Sequence, residues 1–223
     1  MIKLKKTNNT KKEEIPFYEN IGPGELGLVH LYTGYGKGKT TASIGLAIRA
    51  IGQGFKVCMI QFLKGGSYTG EFVAAKEIIP KLEIHQFGKS CIKSDKQLKL
   101  FGFSDSNVVR NSRFCGECRH CFTIDDEEKL AAMEGLSLAN KKTSSGDYDV
   151  VILDEVCGAI KERLIDIKDV LNLIKNKYEK TELILTGRDA PKELIMVADY
   201  VSDMKNVRHP FDKGVEARKG IEY

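Results

Sequence analysis

Short apolar runs alternate with longer stretches of helical periodicity along most of this chain. Strands are predicted at 28–33, 57–62, 82–87, 150–153, 183–186 and near Tyr200. Helices are predicted at about 40–51, 71–79, 127–142 and 167–178, and from Pro191 onwards. The run at 150–153 is apolar throughout, as expected of a strand that is covered on both faces. Strands that alternate with helices predict an α/β fold with a doubly wound, mostly parallel sheet.

Two regions do not follow this pattern. Residues 1–25 are rich in lysine and have no hydrophobic period, so we predict a mobile N-terminal arm or an arm that folds over a ligand. The segment at about 88–126 also lacks a clear period and contains four of the six cysteines. We interpret it as an insertion into a single domain that spans residues 26–223.

The composition excludes several classes of protein. Of the 223 residues, 42% are hydrophobic and 30% are charged, which is a soluble globular balance. No apolar run approaches the ~18 residues of a membrane span. The N-terminal region also lacks the apolar stretch of a signal peptide, so we expect a cytoplasmic location. The formal net charge of +4 is small for a nucleic-acid binder. We therefore expect neither a membrane nor a nucleic-acid partner.

Residues 33–41, which read TGYGKGKTT, follow a predicted strand and open a predicted helix. Backbone N–H groups at such a turn converge on an anion, and the helix dipole favours negative charge there. Lys39 supplies a mobile cation, and the hydroxyl group of Thr40 can ligate Mg²⁺. The pattern therefore predicts a site for phosphate groups at this turn.

This phosphate loop departs from the common pattern G-x-x-x-x-G-K-[ST]. Counting back from Gly38 places Thr33 where the first glycine of that pattern stands, and Gly34 leaves only three intervening residues. The loop is therefore one residue short by this count. We expect it to hold its polyphosphate differently from an ordinary ATPase.

Two carboxylates, Asp154 and Glu155, follow the apolar strand at 150–153. Carboxylates at the C-terminal end of a buried strand beside a phosphate loop are placed to hold Mg²⁺ and its waters. Either carboxylate could instead order the loop through hydrogen bonds. The pattern leaves both interpretations open.

With these sites in place, the chain resembles the corrinoid adenosyltransferases of the BtuR/CobO type from about Gly27 to Tyr223, apart from the insertion. The resemblance rests on five blocks in order: TGYGKGKTT at 33–41, QFLKG at 61–65, LDE at 153–155, LTGR at 185–188 and RHPFDKG at 208–214. It implies a phosphate-loop fold and transfer of the 5′-deoxyadenosyl group of ATP to the cobalt of a reduced corrinoid, with release of triphosphate. Members of that family hold ATP reversed, with the loop around the terminal phosphates.

The resemblance also implies roles for individual residues. Lys39, Thr40 and Glu155 would be catalytic, with Thr40 and Glu155 as the Mg²⁺ ligands. The triphosphate of ATP would be bound by Gly34, Tyr35, Gly36, Lys37, Gly38, Lys39, Thr40 and Thr41. Arg188 looks like a nucleotide contact, although an arginine after a strand can equally form a surface ion pair. Gln61 and Lys64 would face the ribose or the corrin, although Gln61 could instead cap its strand. His209 would approach the corrin or the nucleotide, although a loop histidine beside proline can also be structural.

The match departs from the family at the aromatic pair that packs on the lower corrin face in several members. The corresponding stretch here is Gly88-Lys89-Ser90-Cys91, and the chain has no tryptophan. Either a phenylalanine takes that role or reduction of the cobalt is handled otherwise. The candidates are Phe87, Phe101, Phe103 and Phe114.

The cysteines fall into two groups. Cys58 and Cys157 accompany apolar runs, so we predict that they are buried small hydrophobes. Cys115, Cys118 and Cys121 stand at metal-ligand spacing, and Cys91 or His120 could complete four ligands around Zn²⁺. The same spacing suits an iron–sulfur cluster, and free or redox-active thiols are a third interpretation.

Two other functions compete with adenosyl transfer. A phosphate-loop ATPase or kinase with a metal-bound cysteine loop would cleave between phosphates, and a nucleotide-binding metal sensor would leave ATP unconsumed. The resemblance further suggests a homodimer and an electron-donating flavoprotein. The identity of the corrinoid acceptor, complete cobalamin or an earlier intermediate, is left open.

Overall fold

The computed structural model describes residues 26–65, 69–89, 123–218 and 220–222. In these ranges the strands are β1 (Val29–Thr33), β2 (Val57–Phe62), β3 (Leu82–Phe87), β4 (Val150–Asp154), β5 (Glu182–Thr186) and β6 (Tyr200–Asp203). They form one sheet in the order β3-β2-β4-β5-β1-β6, and every neighbouring pair is parallel. The expected parallel α/β sheet is confirmed.

Helices connect successive strands, as a parallel sheet requires. They are α1 (Lys39–Gly52), α2 (Gly70–Glu77), α3 (Asp126–Ser144), α4 (Val156–Lys161), α5 (Ile167–Asn176) and α6 (Lys192–Val197), followed by a 3₁₀ turn at Pro210–Lys213. Capping residues fix two of the starts: Asp125 accepts a hydrogen bond from the N–H of Glu128 before α3, and Asp166 accepts one from Lys168 before α5.

The core lies on both faces of the sheet. On one face, apolar residues of α3, α5 and α6 pack with Ile60 and Leu153 of the central strands. On the other face, α1 and α2 cover Met59 and Ile152. All five residues of β4 are buried, which confirms the prediction from its unbroken apolar run. This double covering fixes the strand ends, and therefore the loops that follow them.

Every strand and helix predicted from the hydrophobic pattern is present, and Cys58 and Cys157 are buried free thiols as predicted. The pattern missed the short helix α4 and the 3₁₀ turn. No helix in the described ranges is long and apolar enough to cross a membrane. The predicted N-terminal arm at 1–25 and residues 90–122 of the insertion lie outside the described residues.

The described ends of the insertion are joined by hydrogen bonds around Lys89. The backbone N–H of Lys89 donates to Glu128 Oε2 (2.9 Å), and its ammonium group donates to Thr123 Oγ1 (2.8 Å) and to Asp125. The side chain of Lys89 is fully buried in these contacts. The chain therefore leaves β3 and returns to α3 at one place.

A polar network covers β3 at the sheet edge. Glu83 accepts hydrogen bonds from Lys142, Tyr148 and His85, and their combined effect exceeds that of partial burial and holds the pKa of Glu83 at about 2. The possible metal-ligand atoms of Glu83, His85 and Cys58 all lie within 4.8 Å of one another. The carboxylate of Glu83 already accepts three hydrogen bonds, and burial raises the pKa of Cys58 to about 12, which disfavours the thiolate that would bind a metal. We therefore interpret the group as a structural network.

Candidate active site

The candidate site lies where the parallel strands end together. The phosphate loop follows β1, residues 63–65 follow β2, Glu155 follows β4, and residues 187–190 follow β5. In open α/β sheets, ligands bind in the crevice at the carboxyl ends of the strands. Four of the five sequence blocks that carry the resemblance lie at these four strand ends. The fold therefore brings segments together that are distant in sequence.

The phosphate loop leads directly into the N-terminus of α1. Gly38 is the N-cap, and its left-handed conformation (φ 117°) is one that residues with a side chain rarely adopt. The first helical hydrogen bond runs from the N–H of Ala42 to the carbonyl oxygen of Gly38 (2.7 Å). The N–H groups of Lys39, Thr40 and Thr41 are thus not used by the helix and are available to an anion.

Lys39 lies inside the phosphate loop. Its ammonium group donates hydrogen bonds to the carbonyl oxygens of Gly34 (2.7 Å) and Gly36 (2.9 Å), and the residue is only 6% exposed. Burial lowers the pKa of Lys39 below its ordinary value of 10.5, while the charge of Glu155 acts in the opposite direction. A buried cation that is held by neutral carbonyl groups is well placed to exchange them for phosphate oxygens.

The loop also packs tightly against the segment that follows β6. The N–H of Gly36 donates to the carbonyl oxygen of Met204 (2.6 Å). A Cβ atom at Gly36 would lie 2.6 Å from that same oxygen, so only glycine allows the backbone to approach this closely. The short loop is therefore held in place by its neighbour as well as by its own hydrogen bonds.

Asp154, the last residue of β4, is the centre of the site. Its Oδ1 accepts hydrogen bonds from the hydroxyl groups of Thr40 (2.9 Å) and Thr186 (2.7 Å). Its Oδ2 accepts from Lys64 (2.8 Å) and from the amide of Gln61 (3.0 Å). The carboxylate is fully buried. The hydrogen bond from Thr40 is of the kind expected if Asp154 orders the loop, and its role toward Mg²⁺ stays a prediction.

Lys64 compensates the charge of Asp154. Burial acts to raise the pKa of Asp154, but the charge of Lys64 and the hydrogen bonds from Lys64, Thr186 and Thr40 hold it below its ordinary value. Burial likewise acts to lower the pKa of Lys64, and the charges of Asp154 and Glu71 keep it raised. Lys64 lies between these two carboxylates, 2.8 Å from Asp154 and 3.1 Å from Glu71.

Gln61 is completely buried and its amide group is used within the protein. Its nitrogen donates to Glu71 Oε1 and to Asp154 Oδ2, both at 3.0 Å, and its oxygen accepts from Gln86 (2.9 Å). Gln86 in turn donates to Thr69 Oγ1 (3.1 Å). Gln61 and Lys64 therefore belong to one network with Asp154. A direct contact of either with ribose or corrin stays a prediction.

Glu155 differs from its neighbour. It adopts a left-handed conformation (φ 60°) at the start of α4, and its N–H donates to Thr186 Oγ1 (3.0 Å). No group among the described residues donates a hydrogen bond to its carboxylate. Burial and the adjacent charge of Asp154 raise its pKa above the ordinary 4.5. Gly158 leaves room for it, because a Cβ atom there would lie 3.1 Å from Glu155 Oε2.

The remaining predicted contacts are more peripheral. Tyr35, Lys37 and Thr41 are exposed on the phosphate loop and the first turn of α1. Arg188 is exposed after β5, and its charge is close enough to lower the pKa values of Lys39 and Glu155. His209 accepts a hydrogen bond from the N–H of Phe211 and caps the 3₁₀ turn, which is the structural role weighed for it.

Two predictions concerned residues near the insertion. Phe87 packs on the core beneath α3, where a Cβ atom at Gly135 would lie 2.9 Å from its ring. It is thus a partly buried residue that packs against the core. The other aromatic candidates and the metal-binding candidates of the insertion lie outside the described residues, namely Phe101, Phe103, Phe114, Cys91, Cys115, Cys118, His120 and Cys121.

The turn that carries Lys64 is held by a backbone contact. A Cβ atom at Gly65 would overlap the carbonyl oxygen of Gly88, so the turns after β2 and β3 touch without intervening side chains. Lys64 and Lys89 stand next to these two glycines. The position of Lys64 is therefore set by its neighbour in the sheet as well as by its ion pairs.

Sequence reasoning missed three members of the network. Glu71, Gln86 and Thr186 bind Lys64, Gln61 and Asp154, respectively. Thr186 lies within the quoted LTGR block, and its place at the end of a predicted strand was the available signal. Glu71 and Gln86 carry no such signal, because their contacts depend on the register of β2 and β3 and on the start of α2.

The parallel sheet, the glycine-rich loop before α1 and the buried aspartate that binds Thr40 together define a phosphate-loop nucleotide-binding protein. Within that class, the chain belongs to the ATP:corrinoid adenosyltransferase family BtuR/CobO/CobP, whose sequence model matches residues 25–223. The family suggested by the five blocks is confirmed. Nothing in the comparisons favours an ATPase or kinase.

Individual relatives agree with this assignment. A corrinoid adenosyltransferase of Sinorhizobium sp is 32% identical over 204 residues, covering 89% of this chain and 81% of that protein. The corrinoid adenosyltransferase of Escherichia coli (strain K12) is 30% identical over 212 residues, covering 95% and 93%. That of Pseudomonas aeruginosa is 28% identical over 200 residues, covering 89% and 85%.

Proposed function

We propose that this enzyme transfers the 5′-deoxyadenosyl group of ATP to the Co(I) centre of a reduced corrinoid and releases inorganic triphosphate. Co(I) supplies the electron pair of the new cobalt–carbon bond, and the C5′–O5′ bond breaks with its pair leaving on the triphosphate. The observation that carries the proposal is the Lys39 ammonium inside the phosphate loop, held 2.7 and 2.9 Å from carbonyl oxygens. Phosphate oxygens can replace these neutral partners.

In this proposal the phosphate loop holds the terminal phosphates and leaves C5′ of the ribose open to cobalt. Lys39, Lys37 and the free N–H groups of α1 stabilise the charge of the departing triphosphate. Co(I) is itself a strong nucleophile, so no general base is required. The protein positions the two substrates and excludes water.

The proposal includes Mg²⁺ held by Thr40 and Glu155. The hydroxyl group of Thr40 donates a hydrogen bond to Asp154, which leaves the lone pairs of the hydroxyl oxygen available to a metal ion. Glu155 offers a carboxylate that receives no hydrogen bond from the described residues. Oxygen ligands of this kind suit Mg²⁺. When bound, the ion would supply charge neutralisation to the triphosphate.

Two residues receive revised roles. Gln61 and Lys64 orient Asp154, which in turn orients Thr40, so they act on the nucleotide through the network.

Arg188 remains a direct nucleotide contact in the proposal, supported by its exposed position beside the phosphate loop. We further propose, on the family resemblance, a cytoplasmic homodimer that receives electrons from a flavoprotein.

The reaction products test the proposed function. With Mg-ATP and chemically reduced cobalamin under anaerobic conditions, we expect phosphorus NMR to show inorganic triphosphate in equal amount to the alkylated corrinoid. A matched sample without corrinoid should retain its ATP. Formation of ADP and phosphate, or of AMP and pyrophosphate, would contradict adenosyl transfer.

The cysteines of the insertion are proposed to bind a structural Zn²⁺ through Cys115, Cys118 and Cys121, with Cys91 or His120 as fourth ligand. Protein purified without oxygen is expected to contain one zinc per chain. The variant Cys118→Ser should lose it, whereas Cys58→Ala, which removes a buried core thiol, should retain it. Iron with acid-labile sulfide would indicate a cluster instead, and metal-free protein would refute both.

A further inference from the structure

The phosphate loop is bordered by the segments that follow two other strands. In the sheet, β1 lies between β5 and β6, and all three strands are parallel. The residues after β5 and after β6 therefore flank the loop that follows β1, one segment on each side. Contacts on the two sides are of different kinds.

On the β6 side, the contacts are made by backbone groups. The N–H of Met204 donates to the carbonyl oxygen of Thr33 (2.9 Å), and the carbonyl oxygen of Met204 accepts from Gly36 (2.6 Å). These bonds continue the pairing of β1 and β6 past Asp203, the last residue of β6. They hold the beginning and the middle of the phosphate loop.

On the β5 side, the contacts are made by side chains. The hydroxyl group of Tyr35 donates a hydrogen bond to Asp189, and Lys161 at the end of α4 forms an ion pair with the same carboxylate (2.6 Å). The N–H of Ala190 also reaches Thr33 Oγ1 (3.4 Å). Asp189 adopts a left-handed conformation (φ 52°), which is uncommon for residues other than glycine and costs backbone strain.

We propose that Asp189 is a positioning residue for the phosphate loop. Through Tyr35 it holds the β5 side of the loop in the conformation that binds a triphosphate, while Met204 holds the other side. Lys161 keeps Asp189 in place and balances its charge. The inference rests on the proposed function in one respect, that the ligand of this loop is the triphosphate of ATP.

The charge arrangement explains why Lys161 is part of the group. A carboxylate next to the loop would repel phosphate if it were unpaired. The hydrogen bond and charge of Lys161, together with the hydrogen bond from Tyr35, lower the pKa of Asp189, so the residue is an ionised and paired acceptor. The ion pair therefore lets an acidic residue bind Tyr35 without opposing the ligand.

The exposure of these residues indicates that their contacts are not needed for folding. Tyr35 is 58% exposed and the Lys161 side chain 54% exposed, so their contacts bury little surface and contribute little to folding stability. A loop that already has its binding conformation loses less freedom when the ligand arrives. Loss of the contact should thus weaken nucleotide binding and leave stability nearly unchanged.

Titration calorimetry with Tyr35→Phe and Asp189→Gly tests the inference, using Mg-ATP and inorganic triphosphate as separate ligands without corrinoid. Glycine removes the acceptor and tolerates the left-handed conformation of this residue (φ 52°). Each variant is expected to raise the Kd for both ligands about threefold to tenfold, the effect of one hydrogen bond. In turnover, the KM for ATP should rise while the KM for the corrinoid stays constant. Tyr200→Phe is the matched control, because its hydroxyl group has no hydrogen-bond partner among the described residues.

The double variant shows whether the two residues act together. If Asp189 acts through Tyr35, Tyr35→Phe combined with Asp189→Gly should bind no more weakly than the weaker-binding single variant. Additive losses, or single variants that bind both ligands as the wild type does, would overturn the inference. If the wild-type protein itself binds neither ligand, the proposed function fails and the inference fails with it. Tyr35→Phe removes one oxygen atom, so a folded variant is expected.

Discussion

Replacing Lys39 with methionine is expected to lower kcat for adenosyl transfer by about 10²- to 10³-fold, the usual effect of removing one group that stabilises transition-state charge. Methionine fills a similar volume but carries no charge. The loop would then meet the departing triphosphate without the cation that now binds Gly34 and Gly36. The rate is measured from the absorbance change of reduced cobalamin at saturating ATP.

The control is Lys175→Met, at an exposed lysine on α5, which should keep the wild-type rate. Circular dichroism establishes that both variants are folded. A folded Lys39→Met protein with a rate close to the wild type would mean that the triphosphate is stabilised elsewhere. In that case the phosphate loop would have to be reassigned.

Asp154→Ala is expected to lower the free energy of unfolding by about 3–5 kcal/mol, the range found when one partner of a buried ion pair is removed. Lys64 would keep Glu71 but lose its closer partner. Thr186 would lose its acceptor, and Gln61 would lose one of its two. Activity should fall as well, because Thr40 loses the group that orients it. Urea unfolding followed by circular dichroism measures the change.

Two further variants make this prediction specific. Thr186→Val removes only one donor to Asp154 and should cost about 0.5–1.5 kcal/mol. Asp126→Ala removes an exposed carboxylate from the first turn of α3 and should cost less than about 1 kcal/mol. If Asp154→Ala unfolds at the same urea concentration as Asp126→Ala, the network does not contribute to stability as described.

The fold could be predicted from the sequence because its strands are buried on both faces. Strands of this kind have short runs of consecutive apolar residues, and 150–153 is the clearest example. The short helix α4 was missed because its six residues are too few to show a helical period. Its N-cap, Glu155, has a left-handed conformation, and no sequence motif indicates this.

The candidate site was predictable only in part. The phosphate loop is local in sequence, so strand, glycines and lysine could be recognised together. Asp154 could be placed near the loop, but whether it would bind a metal or order Thr40 depends on distances between strands. Tyr35 and Asp189 are 154 positions apart, and their contact follows from the place of β1 beside β5, which a single sequence does not reveal.

The backbone contact between Gly65 and Gly88 couples two turns that are separate in sequence. A bulkier residue at either glycine would act as a wedge and push the opposite turn outward. Lys64 and Lys89 would move in the same displacement, one out of the Asp154 network and the other away from Asp125 and Glu128. The two turns can therefore be redesigned only as a unit, and grafting either one alone onto another scaffold should fail.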